Sequence, residues 1–137
     1  MRNLTAIIET AEHNYSAYIK GLDGLVATGK GIDEIRQNLR QAIQTYIDTC
    51  DDVGVAVPPE LKGDYELVFK MDVKSLLDVY SGIFTKSGLE RLTGINQKQL
   101  WHYANGMSVP RRAQAQKLER ALHRLGSELL AVRLVNP

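Results

Sequence analysis

TKSGLERLTGINQKQLWHYANGMSVP, residues Thr85 to Pro110, carries the signals of two short helices about a glycine turn. Leu89 and Leu92 stand at helical spacing, Gly94 falls where the chain must turn sharply, and Asn96 can cap a second helix that buries Leu100 and Tyr103. This is the layout of a helix-turn-helix. Its second helix would present Gln97, Lys98, Gln99 and His102 outward, and amide and basic side chains of this kind bond to base edges in a major groove.

On either side the helical pattern continues. Asp72 can cap a helix that starts at Val73 and buries Leu76, Leu77 and Tyr80. Pro110 suits the first position of a further helix, whose Leu118, Ala121, Leu122 and Leu125 would pack back on the pair. Gly126 is expected to end that helix. Beyond it Leu130, Val132 and Leu134 alternate along Leu129 to Val135, which predicts a short terminal strand able to pair across a dimer. Residues 72–137 are therefore expected to form an all-α helix-turn-helix domain with a C-terminal tail.

The first half follows another pattern. Leu4, Ala6 and Ile8 alternate with Thr5, Ile7 and Glu9, and Tyr15, Ala17 and Ile19 repeat the period, so two strands meet across the polar turn Glu12-His13-Asn14. A third short strand is expected at Leu25 to Ala27. From Ile32 to Cys50 the apolar positions Ile35, Leu39, Ala42, Ile43, Tyr46 and Ile47 keep steps of three and four, the mark of a helix packed on one side. Gly31 precedes it as a weak cap, Asp33 and Glu34 suit its positive end, and Asp51, Asp52 and Gly54 are expected to end it. Pro58-Pro59 forces an extended link to a fourth strand, where Tyr65, Leu67 and Phe69 share a face. The fold class is α+β: a β-β-β-α-β unit over residues 1–71, then the helical domain, with the boundary near Met71 and no flexible linker.

Composition narrows the classes. An apolar fraction of 44% with 24% charged residues is that of an ordinary globular chain. Apolar runs are only a few residues long, against the roughly 20 that a membrane-spanning helix needs. The start, MRNLTAIIE, reaches an acid before any long apolar stretch, unlike a secretory signal. A single cysteine, Cys50, has no internal partner, and a reducing cytoplasm is the expected home. The net charge of +1 conceals a polarity: residues 1–70 hold 7 Lys+Arg and 11 Asp+Glu, a net −4, while residues 71–137 hold 10 and 5, a net +5. Nucleic acid, if bound, would meet the second half. Two unrelated charge excesses on solvated surfaces are the plain alternative.

Gly94 to Pro110 resembles the recognition helix and following loop of phage-repressor-type helix-turn-helix proteins. Gly94-Ile95-Asn96 matches their turn, Leu100 and Tyr103 their buried positions, and Asn105-Gly106 their helix exit. The resemblance implies that Gln97, Lys98 and His102 read bases and that Lys86 touches phosphate, with Asn96 and Gln99 beside them and Arg111 and Arg112 placed for the DNA backbone. Glu90 and Trp101 depart from the family pattern, which has small residues at both places. An ordinary helical pair with a polar outer face is the competing reading.

The two halves together resemble the HicB antitoxin family. The likeness is carried by the strand TAIIE, by YSAYIKGLDGLVATG after the polar turn, by the helix GIDEIRQNLRQAIQTYI, and by the proline pair ahead of YELVFKMDV. It covers nearly the whole chain, and it rests on the order and spacing of these segments. The resemblance implies a degenerate ribonuclease-H-like fold that binds and blocks a small RNA-cleaving toxin, HicA. It also implies repression of the operon through binding of operator DNA by a homodimer or higher homo-oligomer, with no cofactor.

Catalysis finds little support in the residues. Two-metal phosphodiester cleavage needs several carboxylates converging on ions about 3.5 to 4 Å apart. Glu9 ends the first strand without evident partners, while Asp48, Asp51 and Asp52 gather at the far end of the helix. His13, His102 and His123 are too scattered for a metal-ligand set, and Ser87 and Ser108 lack an evident base. The expectation is a non-enzymatic antitoxin and autorepressor. A stand-alone regulator with a ligand-sensing or dimerising first unit stands as the alternative, and a residual nuclease as a third.

Overall fold

The computed structural model describes residues 1–136, which divide into two compact units, Met1–Ser75 and the segment from Leu76 onward. The first unit is a four-stranded sheet with one covering helix. Its strands are β1 (Arg2–Thr10), β2 (Tyr15–Ile19), β3 (Val26–Gly29) and β4 (Tyr65–Lys70), in the order β3-β2-β1-β4. β1 pairs antiparallel with β2, placing Ala6 opposite Ile19 and Ile8 opposite Ala17, and parallel with β4, placing Leu4 opposite Leu67. The parallel neighbour requires a crossover, and α1 (Ile32–Val53) supplies it.

The pattern of two meets the pattern of 3.6 at one interface. Leu4, Ala6 and Ile8 of β1 and Ala17 and Ile19 of β2 are buried beneath Ile35, Leu39 and Ile43 of α1. Gly29 lets β3 approach the helix closely: a Cβ there would lie 2.9 Å from Ile35 Cγ1 and 3.0 Å from Ile35 N. The other sheet face carries the alternate residues, so Val26, Tyr18 and Ile7 form a row across β3, β2 and β1. Val26 and Tyr18 are exposed there.

α1 runs three residues past Cys50. Asp51 and Asp52 lie inside it, and the stop is Gly54, whose left-handed φ of 74° lets Val55 N–H donate to Cys50 O at 2.9 Å. The third strand falls one residue later than its apolar core suggests and ends at Gly29, because its pairing with β2 extends to Tyr15.

The second unit is helical. α2 (Val73–Val79) begins in the first unit and runs across the division; Asp72 caps it by accepting from Ser75 N–H at 2.8 Å. α3 (Lys86–Thr93), α4 (Gln97–Ala104) and α5 (Arg112–Ala131) follow. Leu77, Leu89, Leu100, Tyr103, Leu118 and Ala121 are buried.

Three expectations about α5, its start at Pro110, its end at Gly126 and the strand beyond it, are corrected. Pro110 is not its first residue: Arg111 remains extended at φ −69°, ψ 159° and the helix starts at Arg112. The terminal strand does not form: α5 continues through Gly126 to Ala131, and Val132 to Asn136 have no regular secondary structure. Leu125 and Leu129 fit a helical stripe as well as the following residues fit alternation. Ser127 to Ala131 tolerate helix well enough to offset a mid-helix glycine, which costs about 1 kcal/mol relative to alanine. A strand would also need a partner, and all strands among the described residues belong to the first unit's sheet.

Candidate nucleic-acid interface

The turn between α3 and α4 is held by a short chain of hydrogen bonds. Thr85 caps α3, its Oγ1 accepting from Gly88 N–H at 2.9 Å. At the other end Gly94 adopts φ 76° and its N–H donates to Glu90 O at 2.8 Å. Thr93, buried, donates its hydroxyl to Leu89 O at 2.7 Å and accepts from Ile95 N–H at 3.0 Å, so the side chain fixes the exit of the turn. Ile95 fills the interior beneath it, and Asn96 starts α4 by accepting from Lys98 N–H at 2.8 Å.

Leu100 and Tyr103 anchor the inner face of α4, which decides what points outward. Lys98, Trp101 and Asn105 lie on the opposite side, all exposed, with His102 half-buried beside them. The structure brings Lys98 and His102 onto one face. Gln97 and Gln99 are held differently: Gln97 Nε2 donates to Glu90 Oε2 at 3.1 Å, and Gln99 Nε2 donates to Ser108 Oγ at 3.1 Å. The side-chain oxygen of Asn96 is engaged by its cap. Glu90, which departs from the repressor pattern, thus acquires a role as an anchor for Gln97.

Trp101 was left without a role by the sequence pattern. Its ring is 49% exposed on the outer face of α4 and meets the His102 ring edge-on at 5.7 Å between centroids. The signal was in the spacing, because Lys98, Trp101, His102 and Asn105 follow the helical period while Leu100 and Tyr103 occupy the other side.

The electrostatics share one motif. α3, α4 and α5 have no acid in their first turns, and each carries cations there: Lys86 on α3, Lys98 on α4, Arg111 and Arg112 on α5. By contrast α1 has Asp33 and Glu34 at its start. A cation at the positive end of a helix is unfavourable by a few tenths of a kcal/mol and becomes favourable beside an anion. Among the described residues none of these four cations has a carboxylate within ion-pair distance. From Leu76 onward the chain holds 9 Lys+Arg and 4 Asp+Glu.

Among the described residues no three His, Cys, Asp or Glu side chains gather to hold a metal ion, and no helix is long and apolar enough to cross a membrane. Glu9 is exposed near the end of β1, opposite Ser16.

Comparison with known proteins gives one partial likeness. Over 44 residues the chain is 36% identical to the UPF0150 protein of Helicobacter pylori (strain J99 / ATCC 700824), a match that takes in 32% of this chain and 61% of that protein. The chain therefore spans less than two thirds of that relative's length. No family model matches the chain, and no solved structure matches it.

Proposed function

We propose that the chain is an antitoxin and autorepressor: its sheet unit covers a small RNA-cleaving toxin of HicA type, and its helical unit reads operator DNA as a dimer. The observation that carries the DNA half is the concentration of unpaired cations at three helix starts around a capped helix pair. In this reading Lys86, Arg111 and Arg112 neutralise phosphates, Lys98 and His102 meet base edges, and Trp101 packs against the sugar or the thymine methyl group. Gln97 reaches the groove with its carbonyl oxygen while Glu90 holds its amide nitrogen, and Asn96 and Gln99 steady the helix start and exit.

The antitoxin half draws on the order of segments in the first unit and on its acidic balance, which suits a basic, RNA-binding partner. The likeness to the Helicobacter pylori protein is compatible with a toxin-antitoxin setting. The mechanism is steric: a bound first unit keeps RNA off the toxin, and no chemistry on the antitoxin is needed.

Two measurements test the halves separately. The full chain, titrated into labelled duplex from upstream of its own gene, should bind one region with at least thousandfold preference over random duplex. Binding equal on both duplexes removes the repressor role. The reading requires a small basic reading frame immediately beside the gene, and co-expression with it should yield a copurifying complex and restore growth. A chain that neither copurifies nor rescues is a stand-alone regulator at most.

A further inference from the structure

We infer that β4 is a docking edge of the sheet unit and that its occupant is β4 of a second copy, paired antiparallel about a two-fold axis at Val68. β4 stands last in the order β3-β2-β1-β4, so its pairing with β1 uses one side of the strand only. Among the described residues, Tyr65–Lys70 make no backbone hydrogen bond to any segment other than β1. Edges of this kind are ordinarily blunted by proline, a bulge, an inward charge or a covering element. β4 reads YELVFK, without proline or glycine, its register with β1 runs unbroken from Tyr65 to Lys70, and α1 packs closest to β3 at the other edge. Tyr65, Val68 and Phe69 are thus left half-buried at an open margin.

The residues of the strand select a second copy, because a two-fold contact must be reciprocal. In an antiparallel pair centred on Val68, the open face of the sheet sets Glu66 against Lys70 of the second copy, Val68 against Val68, and Lys70 against Glu66. On the helix side Leu67 meets Phe69 in both directions. Opposite charges and apolar side chains placed directly across from each other are the pairs that stabilise a sheet. Neither Glu66 nor Lys70 has an ion pair within its own chain among the described residues. The helix-side rings are already braced, with the Arg36 guanidinium over Phe69 at 5.3 Å and that of Arg40 over Tyr65 at 5.5 Å. Sliding by two residues, the smallest shift that keeps both faces, would set Glu66 or Lys70 against Val68 instead. β3, at the opposite edge, offers only VATG, with no charge to fix a register. Pairing through β4 joins the two four-stranded sheets into one. The assignment rests on the sheet alone, so it stands or falls apart from the toxin and DNA readings.

Disulfide trapping in the full chain tests this. Cys50→Ala removes the native thiol, and Val68→Cys places one on the axis. Opposed Cα atoms of an antiparallel pair lie about 4.5 to 5.5 Å apart, inside the roughly 4.4 to 6.8 Å that a disulfide spans. With copper-phenanthroline as oxidant, the covalent dimer should form at least tenfold faster than from Val26→Cys, an exposed site on β3. Added to Val68→Cys, Glu66→Lys and Lys70→Glu should each slow trapping severalfold, and the two together should restore it. A second measurement leaves every apolar side chain of the strand in place: Glu66→Cys and Lys70→Cys chains, one of them isotope-labelled, are mixed in equal amounts. Both sites are exposed, and the mixed dimer should dominate over either like pair. Trapping at Val68→Cys no faster than at Val26→Cys overturns the assignment. So does trapping indifferent to both charge reversals, or a mixture in which like and mixed pairs form at random.

Discussion

Arg111→Asp should make the helical unit more stable and its DNA binding worse. Arg111 occupies the N-cap of α5 in an extended conformation, with no side-chain cap and no acid in the turn that follows. Aspartate at such a position accepts a hydrogen bond from a free first-turn N–H, a gain of about 1 kcal/mol. Exchanging a cation for an anion at the positive helix end adds roughly 0.3 to 1 kcal/mol. A total of about 1.5 kcal/mol in a unit of this size corresponds to a rise of roughly 6 to 12 °C in Tm. Under the proposed DNA reading the same change would remove one phosphate contact per chain, two per dimer, so the slope of log affinity against log salt should fall by about 1.8. Differential scanning calorimetry and fluorescence anisotropy between 50 and 200 mM KCl, as working concentrations of about that range, give both numbers. A lower Tm together with weaker binding would mean that Arg111 serves the fold. An unchanged salt slope would mean that this helix start does not touch phosphate.

Three further substitutions probe other layers. Gly29→Ala forces a methyl group against Ile35 Cγ1 and its backbone N, and urea titration should show a loss of about 1 to 3 kcal/mol with secondary structure retained. Leu100→Ala empties a fully buried site between α4 and its neighbours and should cost about 2 to 5 kcal/mol, read from the melting of the helical unit. Lys98→Ala and His102→Ala should each reduce the preference for upstream DNA over random duplex more than they reduce random-duplex affinity; equal losses on both duplexes would place these side chains on phosphates instead.

The sheet unit was legible because its two periodicities are unmixed: Leu4, Ala6 and Ile8 repeat every second residue, and Ile35, Leu39 and Ile43 every third or fourth. Caps were legible for the same local reason, as at Asp72, Asn96 and Gly94, where one side chain or one φ settles the matter; the Thr85 cap was not read from the sequence. The end of α5 was not, since Leu129 to Val135 satisfies both periods and the choice depends on whether a neighbouring strand exists. Nor were the partners of Gln97 and Gln99, which come from Glu90 on another helix and Ser108 on the following loop. Sequence spacing gives the direction in which a side chain leaves its helix, and the outward face of Lys98, Trp101 and His102 needed only that. It does not say what stands in the way.

The order β3-β2-β1-β4 also sets a timetable for folding. β1 lies inside the sheet, yet its partner β4 comes more than 60 residues later, as the pairing of Leu4 with Leu67 requires. β1, β2, β3 and α1 can assemble as they leave the ribosome, but one side of β1 keeps its unpaired N–H and C=O groups until residue 70 has emerged. Contacts of such long range slow closure, and an open strand edge invites pairing with other chains. A nascent chain stalled or cut within Gly54 to Asp64 would therefore hold the apolar face but lack the strand that seals it. Completion of the sheet, and with it any capacity to engage a partner through that unit, waits for β4, which follows every other strand of that sheet and precedes α3 to α5 in the chain.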